Sequence, residues 1–258
     1  MKKGIIFQIF VVFVILAIWN TLHFVYFTQE RHYRLRLEKI PIIAFSNDLP
    51  ALQAIQTELD SLNYIKETIL EKNEKIISEV INNHNLEEVK KFLDETKIPN
   101  VLKIYFRGDL FGEKQKYQTM KQLSEITDEL AFNNYNWKVI HRKINLLRKI
   151  YQIANIAVIM LLLFIFVFLR IHFEIKRDEF WKIFYAAGGK YNARRHSFIL
   201  SSLLLCLLPL ILSWGAYFGL TYFKIVNPII PYSAVFPQII TLIVASVLSA
   251  IFMGKRLL

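Results

Sequence analysis

The chain contains four long stretches that carry almost no charge, and they constrain its fold more than any other feature. Each stretch has at least about 19 mostly apolar residues, enough for a helix rising ~1.5 Å per residue to cross ~30 Å of hydrocarbon. They cover residues 4–28, 150–169, 197–223 and 233–254. The sequence therefore predicts a membrane α-helical protein with four transmembrane helices.

The first apolar stretch is predicted to be a permanent transmembrane helix and not a cleaved signal peptide. Lys2 and Lys3 form a short basic start, as in both kinds of segment. However, the apolar run is longer than the core of an ordinary signal peptide. Residues 24–30 also offer no pair of small residues at which cleavage would occur.

The net charge of +11 is concentrated beside the apolar stretches. Residues 29–149 are nearly neutral, with 20 Lys/Arg against 18 Asp/Glu, which disfavours a nucleic-acid-binding domain. The basic excess lies at the N-terminus, between the second and third stretches, and at the C-terminus. By the positive-inside rule, both termini and the loop 171–196 are cytoplasmic, and residues 29–149 lie outside.

This topology gives the following predicted organisation. An N-terminal tail and transmembrane helix 1 (1–28) precede an extracytoplasmic domain (29–149) that contains a helical lobe (71–95). Transmembrane helix 2 (150–170), a cytoplasmic coupling loop (171–196), transmembrane helix 3 (197–223), an outer loop (224–232), and transmembrane helix 4 with a cytoplasmic tail (233–258) follow.

The extracytoplasmic domain shows strand and helix patterns in alternation. Strands are predicted over residues 40–45, 64–70, 101–106 and 137–141. Helices are predicted over 49–62, across the lobe, and over 113–132, and a further helix over 144–169 leads into the membrane. This order predicts an α+β ferredoxin-like domain with an inserted helical lobe.

Residue patterns that carry enzyme chemistry are missing from the sequence. Gly188-Gly189-Lys190 is the nearest approach to a phosphate-binding loop, but Phe184 stands where the first glycine is needed and Tyr191 replaces the hydroxyl residue. The six histidines are scattered, and Cys206 is the only cysteine. We therefore expect no catalytic residues, no cofactor and no metal, and any ATPase activity must come from a separate subunit.

The apolar stretches themselves argue against a pump or an intramembrane enzyme. None has Asp, Glu, Lys or Arg near its middle, which a proton- or ion-coupled transporter would normally need, and no paired polar residues stand out within them. His23 lies near the outer end of the first stretch, where a histidine is more often hydrated than functional. Gly215 and Gly219 form a G-x-x-x-G pair, which favours close helix packing, either between spans three and four or at the seam of a dimer.

The loop between spans two and three has a pattern too regular for a plain connector. Aromatic residues recur there at helical spacing among charges, followed by small residues. One interpretation is an amphipathic helix lying on lipid. The other is a coupling helix that docks on a cytoplasmic ATPase, with candidate residues Lys176, Arg177, Asp178, Glu179, Phe180, Trp181, Ile183, Phe184, Gly188 and Gly189.

These residues resemble the permease-like cell-division protein FtsX, a mechanotransmission-type member of the ABC superfamily. Its loop has a basic-acidic start (here residues 176–179), a helix, a small pair (here Gly188-Gly189) and a basic end (here Arg194-Arg195). Pro99 before the strand 101–106 is also similar to that family. The resemblance covers the whole chain in architecture and about 25 residues in motif.

The resemblance implies a non-transporting subunit of the bacterial inner membrane, active at the division septum. It would form a homodimer, pair with an FtsE-like ATPase, and transmit ATP-driven motion that activates peptidoglycan hydrolysis outside. Alternatives are a lipoprotein- or peptide-exporting ABC permease and a membrane-anchored sensor or adhesion protein without an ATPase.

The helical lobe has more apolar residues than two short helices need for one core. We expect part of this set to receive an outer partner, a murein hydrolase or its coiled-coil activator. The alternative is that the whole set packs onto the sheet. The candidate residues are Ile76, Ile77, Val80, Ile81, Val89, Phe92 and Leu93.

Overall fold

The computed structural model describes residues 2–75, 78, 98–127, 129–190, 192–227 and 229–257, with side chains between residues 4 and 253 of that set. The chain divides into two compact units. We name Met1–Thr28 with Leu147–Leu258 the span unit, and Gln29–Leu146 the sheet unit. The described chain is mostly helical with a small antiparallel sheet.

The elements follow one another in this order along the chain. They are α1 (Lys2–Leu37), β1 (Ile42–Ser46), α2 (Leu49–Asp60), β2 (Ile65–Glu71), β3 (Asn100–Phe106), α3 (Glu113–Ser124), β4 (Glu129–Phe132), α4 (Asn134–Lys176), α5 (Asp178–Ala186), α6 (Asn192–Tyr222), a short 3₁₀ turn (Tyr232–Ala234) and α7 (Val235–Leu257). Four helical segments, in α1, α4, α6 and the run of the 3₁₀ turn into α7, are long and apolar enough to cross a membrane.

The span unit is held together by an apolar core between these four helices. Leu16 and Trp19 of α1, Leu162 and Phe166 of α4, Leu205 of α6, and Leu242 and Ala245 of α7 are buried in one cluster. The outward positions are also apolar: Phe164 and Ile211, for example, are mostly exposed. A helix bundle with apolar side chains both inside and outside is what a hydrocarbon solvent requires.

The sheet unit contains a four-stranded antiparallel sheet in the order β2-β3-β1-β4. The strand β1 lies inside, with Ala44 opposite Leu102 of β3 and Leu130 of β4. Leu52, Ile55 and Leu59 recur at helical spacing in α2 and are buried in the same core as the sheet. Asp48 caps α2 by accepting a hydrogen bond from the Ala51 amide.

Two predictions for the end of the sheet unit were wrong. The predicted helix over 113–132 ends at Ser124, and residues 129–132 form β4. The predicted strand over 137–141 lies in the first turns of α4. The reason is that Leu130 suits a helix by its spacing from Ile126, but Leu130 and Phe132 alternate with exposed Glu129 and Ala131 and pair with β1.

The start of α4 is fixed by a run of asparagines that the prediction overlooked. The Asn133 side chain accepts a hydrogen bond from the Asn136 amide at 3.0 Å, and the Asn133 carbonyl accepts one from the Trp137 amide. This is an N-terminal helix cap. Trp137 is then buried in the core of the sheet unit from a helix, with its ring stacked on His141 one turn later.

Candidate functional site: the loop helix and its charges

The helix α5, which we call the loop helix, connects the second and third candidate spans and has two distinct faces. Trp181 on one face is 4% exposed, whereas Phe180 and Ile183 on the other are 45% and 70% exposed. Phe184 is half-buried and lies edge-on to Trp181, with ring centroids 5.7 Å apart. The loop helix therefore fastens itself to the chain on one side and presents apolar side chains on the other.

Gly188 and Gly189 end the loop helix. The Gly189 amide donates to the Phe184 carbonyl at 2.9 Å, and the Gly188 amide donates to the Tyr185 carbonyl at 3.0 Å. These two bonds form a Schellman cap, in which the residue after the helix has a left-handed conformation. Gly188 has that conformation, with φ +85°. A Cβ added at Gly189 would overlap the Phe184 ring.

A buried group of charges, which we call the loop charge cluster, fixes the base of the loop helix. Its members come from the end of α4, the start of the loop helix and the start of α6. They are Arg170, Glu174, Arg177, Asp178 and Arg194. Three guanidinium groups face two carboxylates, so the cluster carries excess positive charge.

The ion pairs of this cluster connect three elements. Glu174 of α4 pairs with Arg177 at 3.4 Å and with Arg194 of α6 at 3.8 Å. Arg194 also pairs with Asp178, the first residue of the loop helix, at 3.1 Å. Removing one member of a buried pair leaves an uncompensated charge, which is strongly destabilising. The cluster therefore connects the loop helix to both α4 and α6.

Arg170 joins α4 to α6 directly. It is 3% exposed, and its guanidinium donates to the Ser201 hydroxyl, the Ser202 hydroxyl and the Phe198 carbonyl, each at 3.0 Å. The same group lies 4.2 Å from the centre of the Phe198 ring. These bonds occupy the two terminal nitrogens of a buried charged group, which would be costly without partners.

The structure distributes the predicted docking residues over different roles. Arg177, Asp178 and Trp181 are engaged inside the chain, and Gly188 and Gly189 form the cap. Lys176, Glu179, Phe180 and Ile183 are exposed. Sequence reasoning missed Arg170, Glu174 and Arg194 as buried residues. The spacing of Arg170, Glu174 and Asp178, four residues apart, was the available signal.

A second group of polar side chains, which we call the interhelical polar network, lies among the candidate spans. The Trp214 indole of α6 donates to the Gln238 side chain of α7 at 2.8 Å, and Gln238 donates to the Asn20 side chain of α1 at 2.6 Å. The Trp19 indole donates to Asn155 of α4 at 2.5 Å. These bonds connect all four candidate spans.

His23 of α1 also contacts α4. Its Nδ1 lies 2.7 Å from the Tyr151 hydroxyl of α4, and Tyr26 stacks on the Tyr151 ring at 3.9 Å. His23 is 2% exposed, so the expectation of a hydrated histidine was wrong. The expectation that no polar residues pair within spans was wrong as well, because the partners lie on different helices far apart in sequence.

The two glycines of the G-x-x-x-G pair have open space beside them among the described residues. Cβ atoms added at Gly215 or Gly219 would meet nothing within 4 Å among the described residues outside their own helix. Spans three and four therefore do not pack through these glycines here. A seam with a second copy stays a prediction.

The predicted outer-partner residues Ile76, Ile77, Val80, Ile81, Val89, Phe92 and Leu93 lie outside the described residues. Among the residues that are described, no group of three His, Cys, Asp or Glu side chains comes together as a metal site.

Comparison with known proteins adds no family to this description. The chain matches no protein-family model, and a search of curated proteins found no match. The functional argument therefore rests on the geometry of the loop helix, the loop charge cluster and the interhelical polar network.

Proposed function

We propose that the chain is the membrane subunit of an FtsX-type complex of the bacterial inner membrane. In this proposal it is not itself an enzyme. Its loop helix receives the motion of a cytoplasmic FtsE-like ATPase. Its spans pass that motion to the sheet unit outside, which activates a peptidoglycan hydrolase or a coiled-coil activator at the division septum.

The observation that carries the proposal is the two-sided loop helix. The loop charge cluster connects its start to α4 and α6, its inner face carries the buried Trp181, and its outer face presents Phe180 and Ile183. A helix that only covered lipid would need the apolar face but not the buried ion pairs to two spans. Force applied to the outer face passes directly to those spans, as a coupling element requires.

The sheet unit supports the outer half of the proposal. In this proposal the sheet unit is a ferredoxin-like domain with an insertion after β2, and the strand order β2-β3-β1-β4, with α2 between β1 and β2 and α3 between β3 and β4, supports it. At both ends of this unit the chain continues without a break in helix α1 or α4, each of which contains a candidate span.

The test is copurification with an FtsE-like ATPase from the same organism. We expect Phe180→Ala with Ile183→Ala to lose copurification, because buried aromatic and aliphatic anchors commonly contribute at least ~2 kcal/mol. The matched control is Phe223→Ala with Ile225→Ala, a pair of the same kind in the loop between α6 and α7 that is at least about as exposed. If the loop-helix variant inserts normally and still copurifies like the control, the ATPase-coupled function is wrong.

A further inference from the structure

A cavity of about 240 Å³ in the span unit is lined in part by charged side chains, three of them members of the loop charge cluster. Helix α1 contributes Gly4, Ile5 and Gln8 to its wall, and Ser201 of α6 closes another side. The end of α4 contributes the charged residues Arg170, Glu174, Lys176 and Arg177. Three basic side chains against one carboxylate make this cavity electropositive.

Two guanidinium groups in the cavity wall have hydrogen-bonding capacity left over. Arg170 is 3% exposed and uses its two terminal nitrogens on α6, and Arg177 uses its own on Glu174 and Ser197. The Nε atoms of both arginines are buried and have no hydrogen-bond partner among the described residues. Unpaired buried donors on charged groups are costly, so an acceptor from outside the chain is favoured.

We propose that this cavity binds the phosphate of an anionic membrane lipid. Phosphate oxygens accept charge-assisted hydrogen bonds from arginine, and basic cavities between membrane helices take anionic headgroups. The volume suits a headgroup and is too small for a peptide helix.

The surroundings favour a lipid over a soluble phosphate compound. Phe198 and Ser202, which Arg170 contacts, also line a second cavity of about 470 Å³ with otherwise mostly aliphatic walls. That second cavity lies between α6 and α7, two of the helices that are apolar enough to span a membrane. Arg170 therefore lies between the charged cavity, where the headgroup would bind, and the apolar cavity.

The experiment is native mass spectrometry of the purified full chain titrated with phosphatidylglycerol, phosphatidylcholine or inorganic phosphate. We expect retention of phosphatidylglycerol over phosphatidylcholine. Lys176→Gln with Arg177→Gln should weaken phosphatidylglycerol binding by roughly fivefold per removed charge, the usual contribution of a basic residue near an anionic surface. The matched control is Lys190→Gln with Arg195→Gln, which removes two exposed charges outside the cavity.

Several outcomes would overturn the proposal. Equal weakening in both double variants would mean general surface attraction, and equal retention of both lipids would mean no charge selection. Displacement of the lipid by inorganic phosphate would indicate a soluble ligand. If the Arg177 change prevents folding, Lys176→Gln is tested alone, because Lys176 is exposed. Unchanged phosphatidylglycerol binding in that single variant would contradict the proposed lipid site. The assay contains no ATPase, so its result is independent of the coupling function.

Discussion

Gly188 has a left-handed backbone, which any residue with a Cβ reaches at a cost of about 1–2 kcal/mol. We therefore predict that Gly188→Ala loosens the last turn of the loop helix. Amide hydrogen exchange of Tyr185 to Gly189 should become faster in the purified protein. Gly188→Asn is the control, since asparagine tolerates this conformation better and should restore part of the protection. Unchanged exchange in Gly188→Ala would show that the cap is not needed.

Gly188 and Gly189 also show how much local structure can be predicted from single residues in the sequence. Their departure from the phosphate-binding-loop pattern is visible in the sequence from Phe184 and Tyr191 alone. Their role as a cap could not, because it depends on the helix ending at Ala186, two residues after Phe184, whose carbonyl the Gly189 amide must reach. The pair of glycines predicts that the chain turns here, whereas the position of the helix end decides which kind of helix cap forms.

At the scale of elements, the interhelical polar network joins helices that share no sequence motif. The bond between Asn20 and Gln238 links α1 to α7 across 218 positions of the chain. It adds a polar contact to the apolar cluster in which Leu16 and Trp19 of α1 and Leu242 and Ala245 of α7 are buried together. Side-chain hydrogen bonds between membrane helices contribute about 0.6 kcal/mol on average and up to about 1.7.

A double-mutant cycle measures this connection. We predict that Asn20→Leu and Gln238→Leu each destabilise the full chain in detergent, and that their effects are not additive, with a coupling of about 0.6–1.7 kcal/mol. The control cycle pairs Asn20→Leu with Ser249→Ala; Ser249 bonds within its own helix, so additivity within ~0.5 kcal/mol is expected there. If the effects are additive in both cycles, the hydrogen bond between Asn20 and Gln238 does not stabilise the fold. Unfolding is followed by titration with a denaturing detergent.

Most elements of the sheet unit followed from local pattern. The predicted boundaries of the first three strands lie within two residues of β1, β2 and β3. The fourth strand was misplaced because residues 126–132 match both a helical and an alternating pattern. Pairing with β1 decides between the two patterns. This pairing joins residues far apart in sequence, so it cannot be predicted from the local spacing of apolar residues.

At the scale of the whole molecule, the charge asymmetry predicts which side of the membrane each part occupies. In a Cys206→Ser background, a cysteine at Asn136 of the sheet unit should react with an impermeant reagent in intact cells. A cysteine at Lys190, after the loop helix, should react only once the membrane is opened. Both positions are exposed, so access through the protein does not limit either reaction. The reverse pattern would invert the topology and exclude docking of a cytoplasmic ATPase on the loop helix.

The number and position of the spans could be read from the sequence because hydrocarbon imposes length and polarity on each one separately. Their packing could not. Arg170 and Arg194 look like ordinary basic residues beside a span, and only the folded chain brings them to Glu174 and α6. Likewise, Trp19 and Trp214 show no sign in the sequence of the partners they find on other helices.

The interhelical polar network also bears on how the protein is made. A membrane chain is synthesised from its N-terminus, so α1 enters the bilayer long before α7 exists. Until then the side chains of Trp19, Asn20 and His23 lack their partners Asn155, Gln238 and Tyr151, and polar groups without partners are costly in hydrocarbon. A chain that stops before Gln238 therefore leaves the Asn20 side chain without this partner, so the fold of the first span is completed only when the last span is made.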